Sequence, residues 1–152
     1  MSDIRFRIRP SAAIIRDGAI LLIEYDEPGK GLHYNLPGGG LQPEELIYDG
    51  LRRELREEAG VEATIGPLLL VWELPGGIDG PNHHIGLVFR CALAGDNQPF
   101  KPEPGDDWQI GVRWVPLADL HGVWLLPELM ARKLAEVLET PAAVDPFVYE
   151  QW

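Results

Sequence analysis

Residues 38–61, GGGLQPEELIYDGLRRELREEAGV, constrain this chain more than any other stretch. Glu54, Glu57 and Glu58 stand at i, i+3 and i+4. On a helix that spacing gathers three carboxylates on one face, with Cβ atoms about 5–6 Å apart. Like charges so placed each destabilise a bare helix by roughly 0.2–0.5 kcal/mol. Two readings offset that cost. The acids form a solvated face partnered by Arg52, Arg53 and Arg56, or they hold a hard divalent cation, which prefers carboxylate and phosphate oxygens. The preceding Pro37-Gly38-Gly39-Gly40 favours the second, because consecutive glycines let backbone approach a ligand closely. Pro43, Glu44 and Glu45 suit a helix start. Leu46, Ile47, Leu51 and Leu55 supply an apolar side, and Gly60 stands where a C-cap glycine belongs. Gly50 costs about 1 kcal/mol relative to Ala in a helix interior, so close packing against a sheet is expected there.

The stretch resembles the Nudix hydrolases (MutT-like), whose box reads G-x5-E-x7-R-E-U-x-E-E-x-G-U, with U a bulky aliphatic. Gly39, Glu45, Arg53, Glu54, Leu55, Glu57, Glu58, Gly60 and Val61 meet every fixed position over residues 39–61. Asn35-Leu36-Pro37 before the box and Trp114-Val115-Pro116-Leu117 downstream are also family-like, so the resemblance extends over roughly residues 8–138.

Composition is consistent with this. At 152 residues and 45% hydrophobic content the chain reads as one domain over residues 1–152 with a sizeable core. A net charge of −11 argues against a nucleic-acid or anionic-membrane surface. The lone Cys91 excludes an internal disulfide and reads as a buried thiol. No signal-peptide core and no run of 18 or more apolar residues stands out, so a soluble cytoplasmic protein is expected.

Along the chain, Ile4, Phe6 and Ile8 alternate with Arg5, Arg7 and Arg9, which predicts a half-buried strand over residues 4–9. Asp17-Gly18 predicts a hairpin between residues 12–16 and 19–25. Residues 27–31 form a loop carrying Lys30, and residues 33–36 a short strand. Lys30, His33, Arg7 and Arg9 are candidates to reach a phosphate. Residues 68–72 and 83–93 read as strands, with the loop 75–82 as a substrate rim. His83 and His84 are adjacent in a strand and face opposite ways, so one is expected in the cleft and the other in solvent or core. A polar loop, residues 95–108, precedes a strand at 112–115. An amphipathic helix follows at about 127–139, then an aromatic tail at 140–152 that packs on this chain or on a second copy in a homodimer.

The resemblance implies a Nudix fold, a mixed β-sheet core sandwiched between α-helices (α+β or α/β). It implies hydrolysis of a nucleoside diphosphate linked to some group X, with Mg²⁺ or Mn²⁺ as cofactor and a small nucleotide as partner. Glu54, Glu57, Glu58 and the Gly39 carbonyl would hold the metal. Arg53 and Glu45 would orient the ligating face, and Gly60 would end the helix. The base that deprotonates water is Glu54, Glu58 or a loop acid, with Glu103, Asp106 and Asp107 as alternatives. Arg9, Lys30, Tyr34, His83, Glu103 and Asp107 are substrate-binding candidates, and Trp72, Tyr34 and Trp108 are candidates to stack a base. X stays open between a nucleotide sugar, ADP-ribose and a (d)NTP. Pro75 stands one residue short of an ADP-ribose signature, and the tyrosine of a dinucleoside polyphosphate type is missing. The alternative is a catalytically silent Nudix-like domain that binds a nucleotide for regulation.

Overall fold

A computed structural model describes residues 5–78, 80–140 and 145–149. Its strands are β1 (Phe6–Arg16), β2 (Ala19–Glu27), β3 (Gly31–Asn35), β4 (Ala63–Leu74), β5 (His83–Leu93), β6 (Gln109–Pro116), β7 (Leu125–Leu126) and β8 (Phe147–Tyr149). Helix α1 (Ile47–Ala59) lies between β3 and β4, and α2 (Glu128–Glu139) follows β7. A 3₁₀ turn, Leu117–Gly122, joins β6 to β7.

The Asp17-Gly18 hairpin joins two groups of strands. On one side β1 pairs parallel with β5 from Phe6 to Ile14, β5 pairs antiparallel with β4, and β8 lies parallel on the outer edge of β4. On the other, β2 runs antiparallel to both β6 and β3, and β7 adds in parallel to β3. The sheet is mixed, as expected.

Period-two alternation splits its apolar residues between two cores. Ala12, Ile14, Leu21 and Ile23 point to the side covered by Leu51, Leu55 and Ala59 of α1. Ala13, Ile20 and Leu22 point to the side covered by Leu129, Met130, Leu134 and Val137 of α2. A sheet buried on both faces reads as continuous apolar runs, which is why residues 19–23 carry no polar interruption. Among the described residues no helix is long and apolar enough to cross a membrane.

Several expectations need correction. β1 is one strand running through Pro10, whose partner on β5 is Leu87. The carbonyl of Pro10 accepts from Gly39 N–H, so its missing donor falls on the loop side and not in the β5 ladder. Phe6 is 68% exposed, so the alternation of residues 4–9 does not bury it; Ile4 lies outside the described residues. Helix α1 starts at Ile47, because Pro43 and Glu44 form a turn with Glu44 at φ 64°. A Cβ on Gly50 would strike Leu41 and the Glu45 carboxylate, so that glycine accommodates the loop before the helix and not the sheet. Pro146 and Phe147 of the tail pack on β4, whereas Trp152 lies outside the described residues.

Candidate active site

The glycine loop is laced along the free edge of β1. Ala12 N–H donates to Pro37 O (2.8 Å), Gly39 N–H to Pro10 O (3.1 Å) and Leu41 N–H to Ile8 O (2.9 Å). A Cβ on Gly38 would collide with Pro10 O and lie 2.6 Å from Ser11 Cα. A Cβ on Gly39 would lie 2.6 Å from the Glu54 carboxylate. The glycines therefore bring backbone against both β1 and the acidic face of α1.

Arg53 braces that face. Its Nε and one terminal nitrogen donate to both oxygens of Glu45 (2.7 and 2.9 Å). The other terminal nitrogen donates to Glu54 (2.8 Å) and Glu57 (3.2 Å), and the guanidinium also reaches Gly40 O (3.2 Å). This fork–fork geometry is what arginine supplies and lysine does not. The Arg53 pair and the Gln42 N–H hold the Glu45 carboxyl down to about 2. Glu58 Oε2 accepts from Gly38 N–H (3.2 Å). Burial first, then the charge of Glu54, push the Glu58 carboxyl up to about 8, against the pull of Gly38 N–H and Arg9.

These groups close one end of a two-part cleft. The acidic end, a cavity of about 330 Å³, is lined by Glu54, Glu58, Glu27, Asp106, Tyr25 and Trp108. The other end, about 430 Å³, is apolar and aromatic, with Trp72, Leu74, Trp124, Leu126 and Leu129. Arg9, Lys30, His33, Asn35, Gly38 and Gly39 line both and form the junction. Burial, Glu58 and Asp106 all raise the Tyr25 hydroxyl, which keeps it protonated.

Of the expected site residues, Gly39, Glu54, Glu58, Arg9 and Lys30 come together here. Glu57 does not line the cleft; its side chain is 57% exposed and turned to Arg53. Tyr34 is a correction. It is 4% exposed in the α2-side core, where its hydroxyl donates to Glu24 (2.7 Å) and accepts from Arg113 (2.9 Å). Its neighbours His33 and Asn35 face the cleft instead. His83 pairs with Glu73 (2.7 Å) and packs on Phe6, while His84 lines the cleft. Glu103 points at Lys101 (3.0 Å), and Asp107 does not line the cavity; Asp106 is the loop acid that does.

Trp124, Glu128, Arg132 and Gln109 were not foreseen. Trp124 Nε1 donates to Glu128 (2.9 Å), which sets the indole at the cleft wall. Gln109, 2% exposed, donates to Glu58 O (2.7 Å) and ties the Asp106 loop to α1. A glutamine at the head of a strand gave no sign of this. Trp124 had one, as an aromatic just ahead of a Leu-Pro helix entry.

The donor chemistry suits a hard cation. No group of three or more His, Cys, Asp or Glu side chains converges closely enough to hold an ion among the described residues. Glu54 and Glu58, however, converge on the Gly38–Gly39 backbone in one cavity, and Mg²⁺ is commonly held by one or two carboxylates plus substrate phosphates.

A family model described as the NUDIX domain matches residues 6–140. The chain is 43% identical over 60 residues to a CTP pyrophosphohydrolase of Escherichia coli (strain K12), covering 37% of this chain and 42% of that protein. It is 27% identical over 121 residues to a MutT-like protein of Streptomyces ambofaciens, covering 80% of this chain and 64% of that one. The chain thus spans less than two thirds of either curated relative. A crystal structure of a MutT NUDIX hydrolase from Burkholderia pseudomallei superposes with a TM-score of 0.64 at 30% identity, covering 75% of this chain and 85% of that one.

Proposed function

Because this chain belongs to the Nudix family, we propose that it is a divalent-metal-dependent pyrophosphohydrolase acting on the diphosphate linkage of a small nucleotide. The observation that carries this reading is the convergence of Glu54 and Glu58 on the Gly38–Gly39 backbone, at the acidic end of a cleft whose junction carries Arg9 and Lys30. The likeness to a CTP pyrophosphohydrolase supports nucleoside triphosphates as the first substrates to try, beside ADP-ribose and nucleotide sugars.

Glu54, Glu58 and the Gly39 backbone would hold Mg²⁺ or Mn²⁺, and Glu57 would join them only by turning away from Arg53. A cation held there would neutralise phosphate charge and acidify a water molecule. Arg9 and Lys30, which border the acidic end from the junction, reach the diphosphate there. Burial and Glu54 favour the neutral Glu58 carboxyl. Beside a bound cation it would be a carboxylate, and with Oε2 engaged by Gly38 N–H its Oε1 would take the proton of the attacking water. The water oxygen bonds to phosphorus, the P–O bridge breaks, and its electron pair leaves with the departing phosphate. Arg53 keeps Glu54 in place without touching substrate, and Gln109 fixes the last turn of α1 from behind.

The test is phosphate or diphosphate release from a panel of (d)NTPs, ADP-ribose, nucleotide sugars and dinucleoside polyphosphates, with Mg²⁺ or Mn²⁺. Turnover of one class that Glu58→Gln abolishes supports the reading. Nucleotide binding without turnover anywhere in the panel would sink it and promote a regulatory binding domain.

A further inference from the structure

His33 is 3% exposed, yet it lines both ends of the cleft. Tyr25 stacks on one side of the ring (centroids 5.5 Å, planes 11° apart) and Trp124 meets it edge-on (5.9 Å, 69°). Nδ1 lies 2.9 Å from Gly31 O. A carbonyl only accepts, so Nδ1 carries the hydrogen. In the neutral ring Nε2 is then a bare acceptor. It has no hydrogen-bond partner among the described residues. An acceptor that faces the cleft with its ring plane and tautomer both fixed is a built contact for a donor on the ligand.

Its place decides which donor. If the proposed reading of the cleft holds, phosphates lie at the acidic end and a base lies among Trp72, Trp124 and Leu126. The junction then receives the sugar. Arg9 and Lys30, which also border the acidic end, already supply donors for the phosphate oxygens, whereas an acceptor would repel those oxygens. The geometry points to His33 as a specificity-determining residue whose Nε2 accepts a hydrogen bond from a ribose hydroxyl, so that the cleft selects ribonucleotides over nucleotides lacking that hydroxyl. This differs from the expectation that His33 reaches a phosphate.

The test is calorimetric titration of the full chain with ADP and CDP and with their 2′-deoxy, 3′-deoxy and corresponding fluoro analogues. Removing one of the two hydroxyls weakens binding on the order of tenfold, the scale of one neutral hydrogen bond. The fluoro analogue, which cannot donate, binds as weakly as the deoxy one, and this readout needs no variant to fold. In His33→Phe the ribo and deoxy ligands bind within about twofold of each other, and in His33→Gln, whose amide oxygen accepts, part of the preference returns. Equal affinity of the wild type for all the sugars would overturn the inference. So would a preference that survives His33→Phe, or a failure to bind any nucleotide. Ribo-selective binding without turnover of any substrate would leave it standing and remove the hydrolase reading. Turnover of ribo and deoxy substrates with equal efficiency would do the reverse.

Discussion

Gly38 and Gly39 are neighbours, yet alanine at each should fail in a different way. At Gly39 the new methyl would lie 2.6 Å from the Glu54 carboxyl carbon and one of its oxygens. To restore an ordinary 3.4 Å contact, the carboxylate must retreat by about 0.8 Å. It is the far end of a flexible side chain, so the fold relaxes for about 1 kcal/mol or less, at the low end of overpacking costs. Catalysis is less forgiving, because displacing a reacting group by about 1 Å costs on the order of 10²-fold in rate. At Gly38 the methyl meets backbone, the Pro10 carbonyl and the Ser11 Cα, on a strand held on its other edge by β5. A rigid strand cannot yield, and the loss is of stability, about 1–3 kcal/mol or more, read as a melting temperature lower by roughly 2–4 °C per kcal/mol. The assay is thermal unfolding beside nucleotide hydrolysis for both variants. A fully active Gly39→Ala protein, or one destabilised as much as Gly38→Ala, would refute the placement of Glu54 against the loop.

Other outcomes follow from groups around this site. Glu45 has its carboxyl lowered from 4.5 to about 2, so the stability it contributes is complete above about pH 4.5 and is lost as pH falls toward 2; Glu45→Gln should flatten that acid limb of the melting temperature against pH. Burial raises the Cys91 thiol to about 11, so the native protein should not react with a thiol reagent at pH 8, whereas the denatured chain should show one reactive group. Tyr34→Phe removes a hydroxyl shared by Glu24 and Arg113 and should cost about 1 kcal/mol of stability with KM unchanged; a changed KM would return Tyr34 to the cleft.

What could be read from sequence was what is encoded locally. The acidic face of α1, its brace Arg53 and its Gly60 cap depend on spacing along one helix, and the hairpin on two turn residues. Strand parity was harder to read. Both faces of the sheet are buried, so alternation does not reveal which face carries function, and it puts Tyr34 beside His33 among the candidates and His83 where His84 lines the cleft. Arg132 and Gln109 reach the site through tertiary packing, and nothing in their own neighbourhood in the sequence announces it; Trp124 is marked only by its place ahead of the Leu-Pro helix entry. The start of α1 was misplaced because a proline and two acids suit a turn as well as a first helical turn.

The parallel contact of β8 with β4 bears on how the protein behaves in the test tube. Three residues, Phe147–Tyr149, cover the outer edge of a strand whose other edge belongs to β5. Stripped of them, Val71–Glu73 would offer unpaired amides to any extended chain, the usual seed of edge-to-edge aggregation. Trp72, at the centre of that contact, also lines the apolar end of the cleft. Loss of the tail would therefore be felt first as insolubility and next as a slackened wall around the nucleotide.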